Sequence, residues 1–315
     1  MAPSVGSSLT HPSTNDLTDI DRRDTPMTTP LETHFDTTGP ISLKVEVQQG
    51  DITLRVTEGT STLVRLVPSG KGGAELAERF TVESRGDAVV VLAPKERGSV
   101  FSFGKRDSVD VEIDLPEGST LDLRTGSGDV RGTGRFGDVQ AATGSGDVTF
   151  DDLGSAELKS GSGDLKARAV RGELRAKTGS GDIELEATHG PVDLVSGSGD
   201  VSLRRAEAPV RAKTGSGDVS IGASAADVEV MTGTGDVQLA AVHGGEVRAK
   251  TGTGDVSIGI ASGVAAYLDL NTVTGDVKID LDETDGPGDS EAQASLSVHS
   301  GSGDIKVRRA QVSLA

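Results

Sequence analysis

Arg211 to Ile221 reads R-A-K-T-G-S-G-D-V-S-I, and its run of hydroxyl, glycine and aspartate recurs along most of the chain. The aspartate of this step falls at Asp129, Asp147, Asp164, Asp182, Asp200, Asp218, Asp236, Asp255, Asp276 and Asp304. Successive spacings are 18, 17, 18, 18, 18, 18, 19, 21 and 28 residues. A period near 18 over so many copies implies stacked coils and not a compact globule.

A finer rhythm of nine residues starts at Gly128. Each nine opens with Gly or Ala, followed by alternating aliphatics, as in G-D-V-S-L (199–203) and A-P-V-R-A (208–212). Each coil therefore holds two short strands and two turns, with G-S-G-D at only one of the turns. Side chains alternate along a strand. Counted from each Asp, the columns at −8, −6, +1 and +3 are apolar and must point inward; Val130, Val148, Leu165, Ile183 and Val201 open the +1 column. The −4 column has the same parity and is always Thr or Ser, including Thr178, Thr214 and Thr251. It predicts a buried hydroxyl ladder bonded from rung to rung. The expected fold is an all-β parallel solenoid, roll- or helix-like, of about ten 18-residue coils over 121–310.

The flanks read differently. Residues 1–35 are rich in Ser, Thr, Pro and Asp and are expected to be disordered, with Met27 an alternative start. From Ile41 the pattern alternates strictly, turning at Gly50-Asp51. Further strands are expected at 61–67, 79–84, 87–93, 108–115 and 119–124, and a short helical turn at 74–79. We read 36–120 as an antiparallel β cap, because an uncovered stack end is an open sheet edge. After Gly259 the period loosens: Tyr267 to Ile279 is a coil with the turn T-V-T-G-D, 281–293 is an acidic loop, and Leu296 to Val307 reads as the final coil.

Composition narrows the function. Six Phe, one Tyr and no Trp leave Val, Leu, Ile and Ala to fill the interior, and the 43 glycines sit periodically in turns. A net charge of −18 argues against nucleic acid or anionic lipid as a partner. Zero Cys excludes disulfides and thiolate chemistry. No apolar run approaches the roughly 18 residues of a membrane span, and no signal-peptide core opens the chain. The expectation is a cytoplasmic chain, with surface or extracellular placement by a non-classical route as the alternative.

The segment V-D-V-E-I-D-L-P-E-G leading into L-D-L-R-T-G-S-G-D-V (109–130), the repeated T-G-S-G-D-V, Y-L-D-L-N-T-V-T-G-D (267–276) and G-S-G-D-I-K-V-R-R-A (301–310) together resemble a bacterial β-strand-repeat family. That family is common in actinomycetes and carries the label "putative adhesin" over a domain of unknown function. The resemblance covers roughly residues 36 to 310. It implies a β-solenoid that engages a protein or surface ligand, and no catalytic residues come with it.

Candidate chemistry centres on the Asp column. Coils about 4.8 Å apart bring equivalent carboxylates close enough to repel by about 1 kcal/mol in water and about 4 at an effective dielectric near 20. Bonds to the backbone N–H groups of each residue's own Gly-Ser-Gly turn would offset this, and so would bound cations. Asp129, Asp147, Asp164, Asp182, Asp200, Asp218, Asp236 and Asp255 are the candidate metal ligands, with calcium the one cofactor considered. The calcium-binding nonapeptide roll spaces its Asp differently, and here only every second nonapeptide carries one. His189 and His243 share a column three coils apart, about 14 Å, too far for one zinc site. The outward column Glu184, Ser202, Ser220, Gln238 and Ser257 contains no catalytic constellation, and no G-K-[ST] follows the glycines. One further column alternates in sign: Glu157, Arg175, Asp193, Arg211, Glu229, Arg248 and Asp269. We expect it to fix register and not to bind a ligand. The functional expectation is a non-catalytic scaffold or adhesin-like interaction protein. A calcium-binding repeat module and a self-assembling, bactofilin-like filament are the alternatives.

Overall fold

Aliphatic residues at every second position oblige each half-coil to bury one strand face. Two half-coils per turn supply two such faces, and they cover each other. The computed structural model describes residues 30–94, 107–281 and 292–310. These form one sheet of 14 strands and one of 13, with a single apolar core between them. The inward columns are buried as the sequence predicts, with Val201, Leu203, Val210 and Ala212 all at 3% exposure or less. The two core aromatics Phe136 and Phe150 meet edge to face at 5.6 Å. Gly132 leaves them room, since a Cβ there would lie 2.3 Å from Phe150 Cδ1.

The N-terminal region contains β1 (Leu31–Asp36), β2 (Ser42–Glu46), β3 (Ile52–Thr57), β4 (Ser61–Ser69), helix α1 (Gly73–Glu78), β5 (Thr81–Arg85), β6 (Ala88–Leu92) and β7 (Ser108–Pro116). An antiparallel cap is present, but it is smaller than 36–120. Among the described residues only β1–β4, β4–β7 and β5–β6 pair antiparallel. The alternation from Ile41 instead builds a coil of the stack. Strand β2 pairs in parallel with β6 and with β8 (Thr120–Thr125), and β3 with β7 and with β9 (Val130–Arg135). Leu31–Asp36, assigned mostly to the disordered segment, is a paired strand. Residues 1–29 with Met27, 95–106 and 282–291 lie outside the described residues.

From β8 and β9 the strands alternate between sheets up to β22 (Gly245–Thr253) and β23 (Val256–Ile260). Four more follow: β24 (Val264–Thr274), β25 (Val277–Asp280), β26 (Ala292–Ser302) and β27 (Ile305–Arg309). Here the chain order and the stack order differ. Strand β26 lies between β22 and β24, and β27 between β23 and β25. The coil read as final is therefore next to last, and the T-V-T-G-D coil ends the stack. The two spacings furthest from 18, at 21 and 28 residues, are the ones that step past a rung and return to it. The stack contains twelve coils, the ten read from the repeat and two from the N-terminal region.

At the corners backbone stacks on backbone. A Cβ added to Gly197 or Gly199 would lie 2.2 or 2.0 Å from the carbonyl oxygen of Gly179 or Gly181 in the adjoining coil. Close approach of the neighbouring coil, more than turn conformation, demands glycine there. Gly50 in an early coil and Gly235, Gly254, Gly275 and Gly303 in the later ones also take φ between 134° and 151°.

Candidate functional site

Each coil contributes one carboxylate to a line along the G-S-G-D corner. The Asp147 N–H donates to Asp129 Oδ1 at 2.9 Å, Asp164 to Asp147 at 2.9 Å and Asp182 to Asp164 at 2.9 Å. Asp200, Asp218, Asp236, Asp255 and Asp304 continue the pattern at 2.7–2.8 Å, and Asp276 closes it on Asp304 at 2.9 Å. All eight candidate metal ligands therefore stand in one line, each with Oδ1 engaged. The acceptor serves the next coil's turn and not its own, which corrects the sequence reading. Two members escaped that reading. Asp51 accepts from Asp129 at 2.9 Å and Asp110 accepts from Asp51 at 3.0 Å. The signal was there in G-D-I-T-L (50–54), off the regular spacing.

The hydroxyl ladder lies one step inward. Thr178 Oγ1 donates to Gly163 O at 2.9 Å and accepts from Gly181 N at 3.2 Å, so one buried oxygen joins two coils. Ser196 does the same with Gly181 O at 3.0 Å and Gly199 N at 2.9 Å. The link runs through carbonyls, leaving neither partner unsatisfied.

Among the described residues, Asp164, Asp182 and Glu184 are the one acidic group close enough to share a cation. Lys166 stands among them, with Nζ 3.4 Å from Asp164 and 3.0 Å from Glu184. Its hydrogen bond to Glu184 holds the ammonium above the ordinary lysine range, against the opposing effect of burial. A protein cation already supplies the positive charge at this point. His189 bonds Glu207 at 2.7 Å across one coil step, and both it and His243 are exposed.

The outer face of the 13-stranded sheet carries the alternating charges. Register sets Glu157 beside Arg175, then Asp193, Arg211, Glu229 and Arg248. The expected seventh member does not follow. Ser297 lies beside Arg248, and Asp269 stands beyond it, because β26 is inserted there. Arg211 and Glu229 close across coils at 2.9 Å. Arg175 instead turns to Glu173 at 2.8 Å, and Arg248 to Glu246 at 2.5 Å. The adjacent column reads Lys159, Lys177, Val195, Lys213, Met231 and Lys250. Among the described residues the ion-paired lysines are Lys44, Lys159, Lys166 and Lys278. Lys177, Lys213 and Lys250 are therefore free, one on every second coil. A depression of about 410 Å³ crosses this face from Glu173 to Arg248.

A family model described as Toastrack DUF4097 matches residues 41–223 and 208–314. Several solved structures are similar. One described as a "putative adhesin" from Bacteroides fragilis is 14% identical, covers 90% of this chain and 98% of its own, and gives a TM-score of 0.40. A "putative lipid binding protein" from Parabacteroides distasonis is 17% identical over 89% of this chain and 97% of its own, with a TM-score of 0.42. A "putative cell adhesion protein" from Clostridium sporogenes is 12% identical over 89% and 100%, with a TM-score of 0.21. No curated protein matches the chain. None of these three organisms is an actinomycete, so that part of the resemblance finds no support. No helix among the described residues is long and apolar enough to cross a membrane.

Proposed function

This chain belongs to the Toastrack DUF4097 family, and from that premise we propose that it is a non-catalytic, adhesin-like scaffold whose 13-stranded sheet presents its outer face to an extended, acidic partner. The observation that carries this reading is the free lysine line: Lys177, Lys213 and Lys250 recur on every second coil, with Val195 and Met231 between them. Two coil steps amount to about 10 Å. Groups set out along a line cannot converge on one reacting atom, as catalysis requires. They can meet a long partner repeatedly, and weak contacts then reinforce each other through effective concentration. The net charge of −18 repels an acidic partner at a distance. Within a Debye length of about 8 Å the local lysines govern the contact.

Cross-linked capture of native protein tests this, comparing wild type with K177E/K213E/K250E. The expected result is a ligand held by wild type and lost by the triple variant, with unchanged circular dichroism. If both proteins retain the same set, the lysine face is not the contact surface.

A further inference from the structure

The two ends of the stack are unlike. At the first end the sheets finish in β1 and β5, short antiparallel strands that carry exposed Glu32, His34, Glu83 and Arg85. Short, charged edges of this kind resist further pairing. At the other end the sheets finish in β24 and β25, whose outer edges are unpaired among the described residues. Among the described residues, four of the six exposed large apolar side chains belong to this end: Tyr267 at 55%, Val273 at 84%, Val277 at 42% and Ile279 at 54%. Directly beneath, Ile305 and Val307, the equivalents of Val277 and Ile279, are fully buried.

We propose that this end pairs with the same end of a second copy, about a two-fold axis perpendicular to both sheets. Strand β24 then meets its own copy antiparallel, and so does β25. Directly opposed residues of an antiparallel pair share a face. With Leu270 on the axis, Asp269 opposes the second copy's Asn271 and Tyr267 opposes its Val273. The most exposed aliphatic residue is thereby covered by the only tyrosine, a favourable cross-strand pairing. With Ile279 on the axis, Lys278 opposes the second copy's Asp280, and Val277 opposes its Leu281.

The two registers require one and the same axis. Leu270 lies four residues before Thr274 and Ile279 four after Gly275, so both stand equally far from the corner between them. Neighbouring registers are worse. Asp269 on the axis would set two carboxylates together, and Lys278 on the axis two ammonium groups. The contact is isologous and closes on itself, and the charged opposite end offers no place for a third copy.

Sedimentation velocity on the full chain over a dilution series tests the pairing. The wild type is expected to be a dimer, and K278D or D280K alone to be a monomer. The double variant K278D/D280K restores opposite charges across the axis and is expected to dimerise again. Within the chain Lys278 lies beside Lys306 and 4.0 Å from Asp304, so K278D exchanges a like-charge contact for a lost exposed ion pair. Circular dichroism and a melting temperature well above that of the sedimentation run should show each variant folded, so that loss of the dimer reports the contact. A monomeric wild type, a longer polymer, a dimer that survives K278D, or a double variant that stays monomeric would each overturn the proposal.

Discussion

Asp200 sits about 4.8 Å from two like charges, yet its position in the line is held by a bond and not by separation. Its Oδ1 accepts the Asp218 N–H at 2.8 Å. A hydrogen bond to a charged group contributes about 1.5–3 kcal/mol, enough to offset a repulsion of about 1 kcal/mol in a solvated corner. Replacing Asp200 with Ala should therefore lower unfolding stability by about 1–2 kcal/mol. Asn keeps an acceptor oxygen and removes the repulsion, so D200N should cost less than D200A in the same denaturant titration. Chelator should leave the wild-type midpoint where it is, because the partner is backbone. A large rise in melting temperature with added calcium would instead make the line a cation site. The sequence made the acceptor role legible but named the wrong donor. A repeat period states what each rung contains, and it cannot say whether a bond closes within a rung or between two. Asp51 and Asp110 were hidden for a related reason, since 78 residues separate Asp51 from Asp129 along the chain while one coil step separates them in space.

At the scale of strands, periodicity predicted the inward columns, the parallel register and the sign alternation from Glu157 to Arg248. It did not predict where the alternation stops. Nothing local in Leu296 to Val307 says that β26 enters between β22 and β24, because each of those strands would accept it. Side-chain choice within the ladder was equally out of reach, as Arg175 and Arg248 turn to glutamates two residues earlier in their own coils. Arg211 remains the informative member, bonded to Glu229 with Asp193 on its other side. R211E would place three acidic residues in succession. Exposed pairs contribute about 0.2–1 kcal/mol each, so the melting temperature should fall at low salt and recover as salt screens the contact. Adding E229R should not restore it, because the introduced arginine would face Arg248. An unchanged low-salt melting temperature in R211E would mean that the alternation carries no stability.

The whole molecule is a stack whose interior is nearly translation-invariant, so its character is set at its ends. Both ends use the same device. The coil of β2 and β3 is covered by that of β6 and β7, just as the coil of β26 and β27 is covered by that of β24 and β25. Repeat arithmetic could not show this, because each covering coil lies off the regular spacing. Only the first end then adds β1, β4 and β5, which turn the edge antiparallel and charged. Removing the cap erases this asymmetry. A fragment beginning at residue 118 loses β1 to β7 and leaves β8 and β9 as open parallel edges, with Leu121, Leu123 and Val130 uncovered on the core side. If the opposite end pairs with its own copy, such a fragment would have two adhesive ends instead of one. Closed dimers should then give way to open-ended growth, seen as filaments by electron microscopy or as a scattering signal that rises with time. Seeding with full-length protein should shorten the filaments, because each capped copy that joins terminates a growing end. A fragment that stays folded and soluble, with the same mass in solution as one or two chains, would show that β1 to β7 do not act as the cap.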